Sequence, residues 1–268
     1  MRFFSMLDTR IVCLCAAIFS GAIVIGSAST ASATPASFAQ FSEASPGGNL
    51  FALNTNSPET DFGTSTGGPL GAAIPVNFTY LTLGGLPADL QGVQQATLSM
   101  TSSTVSPVIT GFGGTVATQT FTGAGTLPNS ISLIRDTPAG EGLGAKDNLL
   151  TITFTNSTLI GILGNSAPQM TADTATAGVV VTYSSDFLTF ANGEKNFSLT
   201  FSSWNTPGDG NGLATNGDEQ ALLFLAATAA GAGTFGGNAS VFIPEPSTMV
   251  LAGIGVVGLA LAARRRRK

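Results

Sequence analysis

Ile74-Pro75-Val76-Asn77-Phe78-Thr79-Tyr80 places an apolar side chain at almost every second position. A period of two belongs to an extended strand with one buried face, because successive Cβ atoms point to opposite sides. Ile74, Val76, Phe78 and Tyr80 therefore share the core face of a strand placed over residues 74–83. Pro75 lacks an N–H, which argues for an edge strand or for a start one residue later. Gly84, Gly85 and Pro87 end the run.

The same alternation spreads outward from this stretch. Residues 93–101 put Ala96, Leu98 and Met100 on one face, and residues 149–156 do so with Leu150, Ile152 and Phe154. Short strands are expected at 116–122 and 130–135, and an apolar patch at 159–163. Residues 178–184, 187–190 and 197–203 read as three consecutive strands. Asn192-Gly193 supplies a hairpin turn between the last two. Residues 219–230 fit a helix by propensity, residues 222–227 fit a buried strand, and periodicity does not choose. A final strand is expected in 235–243. On the N-terminal side, 37–43 carries Phe38, Ala39 and Phe41, and 50–53 follows a Pro-Gly-Gly turn. Residues 54–73 read as loop, punctuated by Pro58, Gly63, Gly67, Gly68 and Pro69. About ten short strands separated by Gly, Pro and Asn turns predict an all-β fold, an antiparallel β-sandwich of jelly-roll type. A β-helix would need a regular short repeat, and none is found.

Composition narrows the classes. Gly, Thr, Ser, Asn and Phe dominate, and charged residues make up only 9%. That is a strand-and-turn palette. In residues 34–263 the basic side chains are Arg135, Lys146 and Lys195, against fourteen of the fifteen acids. Such a balance argues against nucleic acid as a partner, because phosphate needs basic patches. Both cysteines, Cys13 and Cys15, sit in the apolar run 11–26, which follows Arg2 and Arg10. With Ala31-Ser32-Ala33 after it, this is the pattern of a secretory signal peptide over residues 1–33. Cleavage is placed after Ala33, with Ala31 or Ala28 as the near alternatives. The exported domain, 34–243, then has neither thiol nor disulfide.

Beyond that domain stand Pro244, Glu245 and Pro246, an apolar run over 249–263, and then Arg264, Arg265, Arg266, Arg267 and Lys268. Prolines fix φ and push Glu245 to extended geometry, so the strip is stiff and can be gripped. As a helix the run is about 22 Å long, short of an unassisted membrane span. Snorkelling arginines cover part of the shortfall and hold that end on the cytoplasmic side. The order of tripeptide, apolar run and arginine cluster over 244–268 resembles the PEP-CTERM sorting signal of Gram-negative bacteria. The resemblance implies processing near the tripeptide by an exosortase, transient residence in the inner membrane, and delivery to the outer surface or the extracellular space. It also implies an association with extracellular polysaccharide.

Little inside the domain points to catalysis. The chain has no histidine, which removes the commonest general base and metal ligand and every Ser–His nucleophile. Gly63-Thr64-Ser65-Thr66-Gly67 matches a nucleophile elbow in letters but lies in a turn-rich stretch. No catalytic residue is assigned, and the protein is read as a non-enzyme. The Gly-rich loop around Asp209, Asn211, Asp218 and Glu219 offers oxygens suited to Ca²⁺, but Leu213 and Ala214 break the ligand series. A second acidic group, Asp136, Glu141 and Asp147, has Arg135 and Lys146 to neutralise it. No cofactor is therefore expected, with Ca²⁺ the one alternative. Trp204 reads as a core or rim aromatic, with stacking on a sugar ring as the other reading. The expected role is structural or adhesive in an exopolysaccharide layer. A carbohydrate- or calcium-binding module stands second, and a glycoside hydrolase using carboxylates alone stands third.

Overall fold

The computed structural model describes residues 35–45, 48–56, 59–81, 83–105, 109–110, 116–136, 147–208, 210–215 and 226–241 of the 268. In chain order the strands begin with β1 Ser37–Glu43, β2 Phe51–Asn56, β3 Glu59–Thr64, β4 Ile74–Tyr80 and β5 Val93–Val105. Then come β6 Ile109–Thr110, β7 Val116–Phe121, β8 Ser130–Arg135, β9 Asn148–Phe154, β10 Ser157–Ile162 and β11 Gln169–Asp173. The series ends with β12 Val181–Ser184, β13 Leu188–Phe190, β14 Asn196–Thr206, β15 Gly210–Asn211, β16 Ala227–Gly236 and β17 Ala239–Val241. A 3-10 turn, Ala88–Leu90, is the one helical element among the described residues.

Fifteen strands join in one sheet with antiparallel pairings, and β13 with β17 forms a separate ribbon. Two long strands divide the ladder. β5 pairs with β8 along one edge; along the other it takes β4 over 93–98 and β3 over 101–105. β16 pairs with β14 along one edge; along the other it takes β2 over 227–229 and β1 over 233–236. Because β3 also pairs with β2, and β4 with β1, the circuit β5–β3–β2–β16–β1–β4 closes on itself. At each fork a strand N–H loses its ladder partner, and a buried orphan N–H is costly. Side chains take over. Thr64 Oγ1 accepts from Met100 N at 3.0 Å, and Glu43 Oε1 accepts from Gly231 N at 2.6 Å.

From this ring one arm continues as β8–β9–β12 and the other as β14–β11–β10–β7–β6. The arms face each other as in a sandwich. Phe154 of β9 meets Phe197 of β14 edge to face, with centroids 4.9 Å apart. Tyr183 of β12 donates its hydroxyl to Gly236 O at 3.2 Å and to Asn196 O. Tyr80 donates to Leu149 O at 2.7 Å. Burial raises both phenol pKa values above the ordinary range. Phe51, Phe62, Phe201 and Trp204 pack in the centre of one continuous core. Each fully buried ring contributes about 1.5–3 kcal/mol of transfer free energy.

The alternating faces read from the sequence are the faces observed on β4, β5 and β9. Several boundaries differ. Residues 54–73 are not all loop: β2 runs to Asn56 and β3 occupies Glu59–Thr64. In β3 threonine supplies two of the inward positions, Thr60 and Thr64, so an apolar alternation is not visible in the letters. β4 is an interior strand, not an edge. Val76 is the last residue opposite β1, so Pro75 lies beyond that ladder, where a missing N–H interrupts no pairing with β1. The Asn192-Gly193 hairpin does not form between β13 and β14. β13 pairs with β17, and β14 lies between β16 and β11. Of the ambiguous stretch 219–230, residues 219–225 lie outside the described residues, and Ala227 begins strand β16. The last stretch divides into the end of β16 and β17, with Gly237 and Asn238 between.

Candidate functional site

The outward faces of the sheet carry few charges and many hydroxyls. Register aligns them. On one arm Thr120 stands opposite Thr158, Thr158 opposite Thr171, and Thr171 opposite Ser198. The row continues through Thr234 of β16 to Gln40 of β1. Directly paired residues sit one strand apart, about 4.8 Å between strands. All six are exposed or half-buried. On the other arm two shorter rows run Ser99–Ser132–Thr151–Ser184 and Thr101–Ser130–Thr153–Thr182.

Where the first row crosses β14, β16 and β1, the surface sinks into an open groove of about 210 Å³. Its walls are Gln40 and Ser42 on one side, Ser198 and Thr200 on the other. Ala232 and Gly233 form the floor, with Phe41 lining it beside Gly233, and Thr234 closes one end. The groove exists because β16, Ala-Thr-Ala-Ala-Gly-Ala-Gly-Thr-Phe-Gly, is nearly all small residues. Its inward glycines have a packing cause. A Cβ on Gly233 would overlap the Phe41 ring and Leu199, and one on Gly231 would press on Phe201 and Phe51. Its outward Ala232 leaves the depression between longer neighbours.

The sequence-derived candidates fall differently. Ala31, Ala33, Pro244, Glu245, Pro246, Arg264 to Arg267 and Lys268 lie outside the described residues. So do Asp209, Asp218 and Glu219, while the backbone of Asn211 pairs with Asn205. Among the described residues no three His, Cys, Asp or Glu side chains come together as a metal site. Likewise no helix there is long and apolar enough to cross a membrane. Trp204 is 1% exposed and stacks on Phe62 at 6.3 Å, so the sugar-stacking reading is wrong for this ring. A bulge between Ser202 and Asn205, with Ser203 at φ 54°, turns the indole inward. Sequence alternation alone cannot place a bulge.

Ser65 of the elbow-like match is a turn residue. Its Oγ donates to Gly68 O at 3.2 Å and accepts from Gly67 N at 3.1 Å. Several described carboxylates accept hydrogen bonds within the fold. Asp186 Oδ2 accepts from Asn148 N at 3.0 Å, Asp173 Oδ1 from Ala175 N at 2.8 Å, and Asp136 Oδ1 from Thr97 Oγ1 at 3.0 Å. Glu141 of the second acidic group lies outside the described residues. Glu59 and Asp61 share one face of β3, and Glu59 accepts from Thr126 N. Burial, and then the Glu59 charge, raise the Asp61 pKa above 3.8. Arg135 Nη2 donates to Asp89 O at 3.0 Å.

The chain leaves the described fold at Val241, the end of β17. That strand is held by its ladder to β13, by Thr189 Oγ1 and Ser240 Oγ at 2.8 Å, and by Ala191 N donating to Asn238 O at 3.1 Å. Residues 242–267, immediately beyond, match the family model of the PEP-CTERM protein-sorting motif. No curated protein and no solved structure matches the chain.

Proposed function

We propose that the all-β domain is a structural or adhesive component of an extracellular, polysaccharide-associated layer, delivered there by its C-terminal sorting signal. The observation that carries this reading is the PEP-CTERM motif over 242–267, which begins one residue after β17. The motif implies exosortase processing and export through a membrane-anchored stage. Support for a non-catalytic role comes from residue types. There is no histidine, the elbow-like serine is engaged in a turn, and Glu43, Glu59, Asp173 and Asp186 accept from backbone N–H groups. The reading needs no cofactor.

The test is cell fractionation of the exporting strain with and without its exosortase. The protein is expected in the extracellular or outer-surface fraction of the first and in the inner membrane of the second. Equal release from both strains would overturn the sorting part of the reading. Retention in the periplasm of both would overturn the surface role.

A further inference from the structure

We propose that the groove across β1, β16 and β14 binds a neutral polysaccharide chain, laid across the strands along the row Thr158–Thr171–Ser198–Thr234–Gln40. This deepens the proposed function and rests on it, since it names the partner chemistry of the same exported domain.

Four observations carry it. The groove lining contains no ionisable side chain, so it has no countercharge to pair with an ionic ligand. Its hydroxyl and amide groups both donate and accept, as do the hydroxyls of a sugar. Gln40, Ser42, Thr200 and Thr234 make no side-chain hydrogen bond among the described residues, so they are free to bond a ligand. The Ala232–Gly233 floor lets a chain approach the sheet closely. The volume also decides the kind of ligand. About 210 Å³ is below the roughly 300–1,000 Å³ of a pocket that encloses a small molecule. A polymer that passes over the groove needs no enclosure, and the hydroxyl row extends beyond the groove over β11, β10 and β7 to meet it.

The plain alternative is that threonine merely suits the wet face of a sheet. Wet faces of soluble sheets ordinarily mix hydroxyls with Lys and Glu, and average chains carry about 25% charged residues. Here the chain has 9%, and the long row is uncharged from Thr120 to Gln40. The opposite arm is the internal comparison. Its rows are as rich in hydroxyls, and two of their threonines bond within the protein: Thr101 Oγ1 donates to Pro128 O at 2.6 Å, and Thr151 Oγ1 to Asn148 Oδ1 at 2.9 Å. In the long row Ser198 Oγ accepts from Gln169 Nε2 at 2.5 Å, which leaves the other groove side chains to meet a ligand.

The experiment uses the protein as the exporting cell releases it, in affinity electrophoresis against dextran, laminarin, hydroxyethyl cellulose and, as an anionic control, alginate. Three forms are compared: native, the groove pair Ala232→Leu with Thr234→Val, and the opposite-arm pair Thr153→Val with Thr182→Val. Melting curves confirm that each is folded. The native protein is expected to be retarded by at least one neutral glucan, equally at low and high salt. The groove pair should weaken that retardation at least about tenfold, while the opposite-arm pair leaves it unchanged. No retardation by any neutral glucan overturns the proposal, as does equal binding by the groove pair. Preference for alginate that collapses in salt would assign the face to an ionic ligand and also overturn it. Self-association in sedimentation that only the groove pair abolishes would assign the groove to a second copy of the chain. A protein that reaches the surface through the exosortase yet binds no glucan defeats this inference alone and leaves the sorting reading intact.

Discussion

Three side chains carry most of the account at the residue scale. Glu43 supplies the acceptor that the forked ladder withdraws from Gly231 N. Removing one partner of such a bond leaves a desolvated donor at a cost of about 1–3 kcal/mol. Glu43→Ala is therefore expected to lower the melting temperature by about 2–12 °C, and Glu43→Gln by clearly less, because the amide oxygen still accepts. Equal losses for the two variants would show that the bond is not the cause. Trp204, the chain's single tryptophan, is buried with Nε1 unpartnered. Its emission should be blue-shifted, resistant to iodide and indifferent to added glucan. A sugar-dependent intensity change would put the ring in a binding surface. Asp61 is the pH probe. Its folded pKa is raised by burial first and by Glu59 second, so the folded state holds its proton more tightly than the unfolded state does. Stability linked to this group is thus greatest in acid and declines as pH rises above 3.8. The melting temperature of Asp61→Asn minus that of the native protein should grow over the same rise in pH. A flat difference would contradict the assignment.

At the scale of elements, β16 is the strand on which packing depends most. Its inward face trades side chains for space, and the rings of Phe41, Phe51 and Phe201 use it. Gly233→Ala would force Phe41 and Leu199 aside, and overpacking of this kind costs about 1–3 kcal/mol. Ala232→Ser, on the outward face of the same strand, should be within about 0.5 kcal/mol of neutral. The pair of melts separates a packing cause from a general intolerance of β16 to change. β16 also shows why the sequence was only partly legible. Where Ile, Val, Leu or Phe alternate, as in β4, β5 and β9, the strand and its buried face could be read directly. β16 uses Ala and Gly on its inward face, and β3 uses Thr, so no apolar period marks them. Pairing was less legible still. Asn192-Gly193 has the letters of a hairpin, but β14 gains longer ladders from β16 and β11 than the three residues of β13 could offer. The groove was invisible for a different reason. It is made by register between strands far apart in the chain, and by residues that are small and uncharged. Trp204 turned inward through a bulge that no letter pattern announces.

At the scale of the whole molecule, the fold stands on one continuous core without covalent help. Both cysteines precede residue 34, so the melting temperature of the exported protein should be unchanged by reductant. A reductant-sensitive melt would mean that Cys13 and Cys15 persist in the mature chain. The C-terminal part of the account was the most legible of all, because a sorting signal is read by an enzyme as linear sequence and needs no tertiary context. The hydroxyl rows on which the proposed partner chemistry rests, by contrast, are visible only once the strands are placed side by side. Sorting joins the two levels, since the signal implies export of the domain that carries the hydroxyl rows. Intact-mass spectrometry of the surface or released protein tests that claim most directly. The account predicts a chain that starts after Ala33, or at the neighbouring sites after Ala31 or Ala28, and that has lost the apolar run 249–263 with Arg264 to Lys268. Recovery of a surface form that still ends in Lys268 would contradict it.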